Sequence, residues 1–129
     1  MERAEQDQTT KRQWAFDHHR LDAYAVALEA LVAGDALAKE VPRGHGTLVD
    51  QFRRALEGAF TQTTEASART GADRLSRFRI ARAEAGEAAG IVEALGRLGL
   101  ASASEVDRVL GLLWRLCAML TKLSRLGAR

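Results

Sequence analysis

Apolar residues recur along this chain at the three- and four-residue spacing of amphipathic helices, in four segments separated by short polar breaks. The first segment predicts a helix from about Phe16 to Ala38, with Asp17 as its N-cap. Its apolar stripe consists of Leu21, Tyr24, Leu28, Leu31 and Val32. Pro42 disfavours helical geometry at the residue before it, and Gly44 and Gly46 follow, so the first loop is expected there.

The second and third segments predict an antiparallel hairpin. The second helix is expected from Thr47, as N-cap, to about Arg69, and the third from about Ala72 to Leu98. Gly71 between them suits a left-handed turn position. Small residues crowd the middle of the third helix and would let a neighbouring helix approach closely; they are Ala81, Ala83, Ala85, Gly86, Ala88, Ala89 and Gly90.

The fourth helix has the clearest start signal and an unusually wide apolar surface. Ser102 and Glu105 match the capping box, in which hydroxyl and carboxylate satisfy backbone donors reciprocally. One stripe consists of Val106, Leu110, Leu113, Cys117 and Leu120, which we assign to the core. Because one core needs only one stripe, two indicate either a buried helix or an oligomer contact, and we predict that the second is an oligomer interface. That second stripe consists of Leu112, Leu116, Met119, Leu123 and Leu126.

Four helices, three short loops and no strand signal predict an all-α fold, an antiparallel up-down-up-down four-helix bundle. Residues 1–13 have no apolar period and are expected to form a flexible polar lead, with the bundle over 14–129. The polar N-terminus does not resemble a signal peptide, and no apolar run reaches the length of a membrane span. We therefore expect a soluble, cytoplasmic protein with no membrane partner.

Polar residues recur on one face of the second hairpin. Taking the turn between Thr70 and Gly71 as the centre, antiparallel partners have numbers that sum to about 141, which places Arg54 beside Glu87. Such a cluster could be a catalytic or ligand-binding group, but we favour ion pairs that fix helix register, because buried charge needs partners. The predicted structural polar network consists of Gln51, Arg54, Glu65, Arg82 and Glu87.

The same hairpin carries a resemblance to a known family. Gln51-Phe-Arg-Arg-Ala55, then Glu65 and Arg69, then Arg77-Phe-Arg-Ile-Ala-Arg82 and Glu87 resemble the signature of the bacterial four-helix-bundle proteins encoded in intervening sequences of large-subunit ribosomal RNA genes. The resemblance covers about residues 16–126. Gly58-Ala59 and Ala83-Glu84 depart from the usual motif, so the chain looks like a diverged member.

That resemblance implies a four-helix fold, no catalytic activity and a cyclic homo-oligomer, often a pentamer. A relative of the fold is the accessory protein of diversity-generating retroelements, which is thought to bind nucleic acid and reverse transcriptase. The resemblance therefore also suggests RNA or a ribonucleoprotein as a partner.

No enzyme or metal constellation appears in the residues themselves. The chain lacks a nucleophile elbow, a phosphate-binding loop after a strand and a Cys-x-x-Cys pair. His18 and His19 are adjacent, so they point in different directions on a helix, and the Glu-x-x-His motif of bundle metal sites is absent. We predict solvated histidines and no catalytic, cofactor-binding or metal-binding residues, hence no cofactor. Cys117 in its apolar stretch is expected to be a small buried hydrophobe.

The charges are polarised along the predicted bundle. Residues 1–27, 60–84 and 115–129 share one end in this topology and carry a net charge of +5, against −3 for the remainder. The helix dipole explains cations at the end of the fourth helix but not arginines in the first turns of the third. Few aromatic residues lie nearby, so any nucleic-acid binding is expected to be directed at phosphates. The predicted nucleic-acid-binding residues are Arg69, Arg74, Arg77, Arg79, Lys122 and Arg125.

Three functions remain open from the sequence. The leading hypothesis is a non-catalytic, oligomeric scaffold that associates with RNA or a ribonucleoprotein through its basic end. The alternative is a protein–protein adaptor, with no nucleic-acid role, that uses the apolar face of the fourth helix. The least favoured is an enzyme that uses the Arg54–Glu87 region.

Overall fold

A computed structural model describes residues 14–126, which fold as four long helices preceded by one short turn of helix. The predicted polar lead, residues 1–13, and residues 127–129 lie outside the described part of the chain. No strand occurs within 14–126, so the all-α prediction is confirmed. The elements are a 3-10 helix, Asp17–Arg20, then α1, Asp22–Glu40; α2, Gly46–Ser67; α3, Gly71–Arg97; and α4, Ala103–Leu126.

Each helix packs against its neighbours in the chain, and α4 returns to pack against α1, so the four helices form a closed square. Arg77 Nη1 on α3 donates to Gln62 Oε1 on α2 (3.3 Å), and Arg82 Nε donates to Thr121 Oγ1 on α4 (2.6 Å). Each contact joins the first half of α3 to the last turns of a neighbouring helix, as antiparallel packing requires. The arrangement is therefore the antiparallel four-helix bundle that the hydrophobic pattern predicts.

Alanine and leucine fill most of the core, with Phe52 and Phe78 as its largest side chains. Of the small residues in the middle of α3, Ala81, Ala85 and Ala88 are fully buried in the core, whereas Ala83, Gly86 and Gly90 are exposed. The only buried polar side chain within 14–126 is Thr63, whose hydroxyl donates to the Ala59 carbonyl oxygen (2.7 Å). Apart from Thr63, the core of the described chain is consequently apolar, and the other polar side chains of α2 and α3 lie outside it.

The loops follow the glycine signals closely. Gly71 has φ of +60° and Gly99 has φ of +75°, a region that residues with a Cβ rarely enter. At the end of α3, the Leu100 amide donates to the Leu95 carbonyl oxygen (2.9 Å), which closes the helix in a Schellman-type turn. The Glu105 amide donates to Ser102 Oγ (3.3 Å), as half of the predicted capping box requires.

The start of the first helix differs from the prediction. Asp17 is not the N-cap of α1, because residues 17–20 form a separate 3-10 turn and Leu21 is extended before α1 begins at Asp22. The Phe16 amide donates to His19 Nδ1 (2.9 Å), and the Phe16 ring stacks on His18 with 5.6 Å between centroids. These ring contacts close a tight turn at a point where the apolar spacing alone indicated a continuous helix.

The predicted oligomer interface on α4 is wrong for its first two residues, Leu112 and Leu116. Leu112 and Leu116 are buried inside their own chain, and Met119 and Leu123 are partly buried against the same core. The reason is geometric, because α4 stands at a corner of the square and packs against both α1 and α3. A corner helix needs two adjacent apolar stripes, one for each neighbour. The Leu126 side chain lies outside what the structure describes.

Candidate nucleic-acid interface

The end of the bundle that the sequence predicts to be basic is assembled as expected. Asp17 and Arg20 of the 3-10 turn border one groove together with Ser67 at the end of α2 and Arg74 in the first turn of α3. Lys122 near the end of α4 borders a second groove that Arg20 shares. The 3-10 turn, the end of α2, the start of α3 and the end of α4 therefore meet. We call this the basic end.

Arg74 has a structural partner that the sequence did not reveal. Its Nη1 donates to the carbonyl oxygens of Ala66 (3.1 Å) and Ser67 (3.5 Å), and its guanidinium lies 5.0 Å from the centre of the Phe78 ring. The last carbonyls of a helix lack intrahelical donors and carry the negative end of its dipole. Arg74 thus caps α2 from the neighbouring helix, which explains a cation at a helix start where the dipole of α3 itself disfavours it.

Arg69 and Arg77 are held by carboxylates of the hairpin. Arg69 contacts Glu65 (3.2 Å) and Asp73 (3.5 Å), and Arg77 Nε contacts Asp73 Oδ1 (3.2 Å). Glu65, Arg69, Asp73 and Arg77 therefore form a row of alternating charge along the α2–α3 turn. Three of the six predicted nucleic-acid-binding residues, Arg69, Arg74 and Arg77, are already engaged within the chain.

The other three predicted residues remain open to solvent. Arg79, Lys122 and Arg125 are exposed, and none makes an ion pair or a side-chain hydrogen bond with another residue of 14–126. Arg82 is also exposed, and its bond to Thr121 fixes the level at which α3 and α4 meet. Arg79 lies one turn before Arg82 and Arg125 one turn after Thr121, towards the basic end. We call Arg79, Arg82, Lys122 and Arg125 the cationic face.

Carboxylates are distributed away from this face. Asp73 already forms ion pairs with Arg69 and Arg77 at the α2–α3 turn. Glu84 packs against Gly58 of α2, where an added Cβ would stand 2.9 Å from Glu84 Cδ. On α4, no aspartate or glutamate follows Asp107. Asp22 is the exception at the α1 border, where it lines the same groove as Lys122. The cationic face is thus positive because acids are absent from it, as well as because arginines are present.

The predicted structural polar network does not form. Gln51, Arg54 and Glu87 are exposed, and neither Arg54 nor Glu87 has an ion pair or a side-chain hydrogen bond within 14–126. Glu65 pairs inside the hairpin turn and Arg82 bonds to α4 instead.

The predicted register is nevertheless close to that observed, since Gln62 meets Arg77 and Gly58 meets Glu84. The error concerns which side of the hairpin the predicted network occupies. Gln51, Arg54 and Glu87 lie along the solvent-exposed edge of the α2–α3 contact and not between the helices. Water solvates the charges at that edge, so they need no buried partners.

The histidines are part of an aromatic cluster, contrary to the prediction that they are solvated. His18 and His19 are half-buried, and the His18 ring lies 4.3 Å from the Tyr24 ring, which in turn contacts Phe60 (5.5 Å). Within the described residues, no three His, Cys, Asp or Glu side chains are grouped so that they could hold a metal ion. These rings anchor the 3-10 turn to α1 and α2.

Cys117 on α4 is half-buried, whereas the sequence predicts a fully buried small hydrophobe. Burial raises the pKa of its thiol, and nearby Arg82 only partly opposes that effect. Its side chain therefore stays protonated near neutral pH and is a poor nucleophile.

Two exposed apolar features escaped the sequence reading. Trp114 on α4 is 78% exposed, and Val32 on α1 is 62% exposed. Val32 belongs to the predicted stripe of the first helix, whereas Trp114 belongs to neither predicted stripe of the fourth. The signal that could have found Trp114 is its position outside both predicted stripes, on the side of the helix that also carries Gly111 and Ala118.

Within residues 14–126, no helix is both long enough and apolar enough to span a membrane. Comparison of the sequence with protein-family models and with curated proteins gives no match.

Proposed function

We propose that this protein is a non-catalytic, cytoplasmic scaffold that associates with RNA, alone or in a ribonucleoprotein, through its cationic face. The observation that carries the proposal is that Arg79, Lys122 and Arg125 are exposed at one end and lack ion pairs within the described chain. Side chains that already satisfy carboxylates contribute little to an external ligand, whereas these cations are available to phosphate oxygens. The resemblance to proteins of ribosomal RNA intervening sequences supports the same class of partner.

Phosphate-directed binding has a measurable signature. Each phosphate neutralised by a lysine or arginine releases condensed counterions, so affinity falls with salt roughly in proportion to the number of contacts. Three to four contacts from the cationic face predict a loss of roughly a hundredfold in affinity between about 50 and about 200 mM salt. The measurement is a fluorescence-anisotropy titration against structured RNA at both salt concentrations. Undetectable binding at the lower concentration, or affinity that is independent of salt, would contradict the proposal.

The thiol of the chain gives no support to a catalytic role. Cys117 is a half-buried thiol whose pKa is raised. The cationic face is built from arginine and lysine side chains, which bind anions but rarely transfer protons near neutral pH.

A second candidate function, self-association, is favoured by a different surface. The outer face of α1 is apolar and exposed, with Leu28 at 38% and Val32 at 62% exposure and with exposed alanines at positions 25 and 36 on the same side. Beside it lies a groove of about 340 Å³ that Leu31 and Leu56 line. We call Ala25, Leu28, Val32 and Ala36 the α1 face.

The charges around the α1 face favour a second copy of this chain as its occupant. Asp35 forms ion pairs with Arg53 of α2 and with Lys39 (3.1 Å), and hydrogen bonds from Lys39 and Arg53 hold the pKa of Asp35 below its usual value. Both signs of charge therefore border the same apolar strip. A surface of that kind is complementary to itself across a twofold axis. The family resemblance also implies homo-oligomers, although it implies cyclic ones, often pentamers, where the α1 face suits a twofold dimer.

Val32→Glu is expected to convert the oligomer to a monomer without loss of helix content. The substitution places a charge at the centre of the α1 face, where it would be buried between subunits but is solvated in the monomer. Light scattering measures the mass and circular dichroism the helix content. Glu87→Gln, at an exposed position on α3, which does not contact α1, is the control and should leave the mass unchanged. A wild-type mass of 14.1 kDa at micromolar concentration would contradict self-association.

A further inference from the structure

Trp114 is the most exposed large apolar side chain of the described chain, at 78%. It lies near the middle of α4, on the outer side that also carries Gly111, Ala118 and Arg125. These residues recur at spacings of three, four and seven, so they share one side of the helix. At this exposure most of the indole surface meets solvent, and a ring face is available to a ligand.

The neighbours of Trp114 leave room around the indole. Gly111 precedes it by one turn, and apart from the adjacent residues and the local helix backbone nothing lies within 4 Å of the place where a Cβ of residue 111 would stand. A glycine inside a helix destabilises it by roughly 0.5–1 kcal/mol relative to alanine. Close packing within the chain accounts for Gly34, whose Cβ would meet Leu56, but it does not account for Gly111. A flat planar group could therefore lie against the indole without meeting a side chain from the preceding turn.

The charges around Trp114 indicate that such a ligand is anionic. After Asp107, every charged residue of α4 is basic: Arg108, Arg115, Lys122 and Arg125, all exposed. None of the four has an ion pair within residues 14–126. Lys122 is about 12 Å from Trp114 along the helix axis and Arg125 about 16 Å. An elongated polyanion could contact the indole and the cationic face together.

A lipid surface fits these observations less well. Helices that lie on membranes present a broad apolar face to the acyl chains. The apolar face of α4 is instead buried in the bundle, where Leu113, Leu116 and Leu120 are fully enclosed. One exposed indole between a glycine and an alanine offers little area for insertion, but it is sufficient to stack on one base.

We infer that Trp114 stacks on an unpaired base of single-stranded nucleic acid whose phosphates lie along Arg115 and the cationic face. This inference rests on the proposed association with RNA and extends it, because it assigns a preference for unpaired nucleotides. A base inside a duplex has both faces covered by its neighbours, so Trp114 gives no gain there. The sequence predicts binding directed at phosphates, because few aromatic residues lie near the basic end.

The test compares Trp114→Ala with Trp14→Ala, which removes the other tryptophan, itself 61% exposed. Labelled oligoadenylate and an RNA duplex of equal length serve as probes in anisotropy titrations. Trp114→Ala is expected to weaken oligoadenylate binding roughly tenfold to a hundredfold, the usual effect of removing one stacking aromatic, and to leave duplex binding unchanged. Trp14→Ala should change neither affinity. In Trp14→Phe, where Trp114 is the sole indole, oligoadenylate should quench the fluorescence.

A second variant tests the site without removing the indole. Gly111→Leu fills the space beside Trp114 and should weaken oligoadenylate binding while the exposed position leaves the fold intact. Unchanged oligoadenylate affinity in both Trp114→Ala and Gly111→Leu would overturn the stacking inference while leaving salt-dependent RNA binding in place. Absence of binding to both probes by the wild type would remove the proposed function as well. Loss of binding to acidic phospholipid vesicles in Trp114→Ala, with RNA binding retained, would assign the indole to a lipid surface and overturn the inference.

Discussion

Leu116→Arg is expected to unfold the monomer. Leu116 is fully buried in α4 and belongs to the same core as Phe52 and Phe78. Arginine at this position would bring a charge into an apolar interior that holds no carboxylate to pair with it. Such substitutions destabilise by about 4 kcal/mol or more, a large part of the 5–15 kcal/mol typical of a domain. The expected result is loss of the helical circular-dichroism signal, or a fall in denaturation midpoint large enough to leave the protein partly unfolded.

Ala118→Arg provides a matched control two residues further along the same helix. Ala118 is exposed, so the same added charge is solvated there and stability should change by less than about 0.5 kcal/mol. The opposite pattern would be informative. If Leu116→Arg kept the wild-type denaturation midpoint and only lowered the mass in light scattering, Leu116 would lie between subunits, as the sequence pattern had suggested.

The misassigned stripe on α4 shows what periodicity can and cannot determine. The spacing of Leu112, Leu116 and Leu120 correctly gives a helix with apolar sides, but it does not state how many neighbours the helix has. In a square bundle each helix has two, so a surface wider than one stripe is needed. The exposed apolar surface lies on α1 instead, where Leu28 and Val32 extend the first stripe beyond the core.

The fold and the loops were largely predictable because the signals are local. Pro42, Gly71 and Gly99 mark breaks through backbone geometry that no distant residue has to supply. The register of α2 against α3 was also predictable, since a short turn fixes it to within about one residue. The sequence could not show which polar residues of α2 face inward. Gln51 and Arg54 share a side of the helix with half-buried Gly58 and Gln62, yet both are exposed. That side borders the interface without entering it.

The arginines of the basic end were harder to assign, because each role depends on a partner from another helix or turn. Arg74 completes the carbonyl end of α2, and Arg77 joins Gln62 to Asp73. The sequence shows only that Arg74 and Arg77 are cations near the start of α3. It does not show that a carbonyl of α2, Gln62 and Asp73 accept their hydrogen bonds. Charge reversal at these two positions would therefore disturb the hairpin as well as any ligand contact. The decisive substitutions belong at exposed cations without such partners.

Arg79→Glu combined with Arg125→Glu is expected to lower RNA affinity by at least about a hundredfold at low salt. Both residues are exposed, have no ion pair within residues 14–126 and lie on adjacent helices near the same end of the bundle. Reversal removes two phosphate contacts and adds two repulsive charges, so the loss should apply to single-stranded and duplex RNA alike. The salt dependence of the remaining binding should also become shallower. Anisotropy titrations at two salt concentrations measure both effects, and circular dichroism verifies that the helices are retained.

Arg43→Glu combined with Arg97→Glu is the matched control, since it makes the same change in net charge. Arg43 and Arg97 are exposed at the opposite end of the bundle. A general effect of protein charge would lower RNA affinity equally in both double variants, whereas a localised interface should leave the control within a few-fold of the wild type. Equal losses in the two double variants would show that RNA affinity depends on net charge and not on the position of the cationic face. Wild-type affinity in Arg79→Glu with Arg125→Glu would remove it as the RNA-binding surface and leave association through the α1 face as the better-supported function.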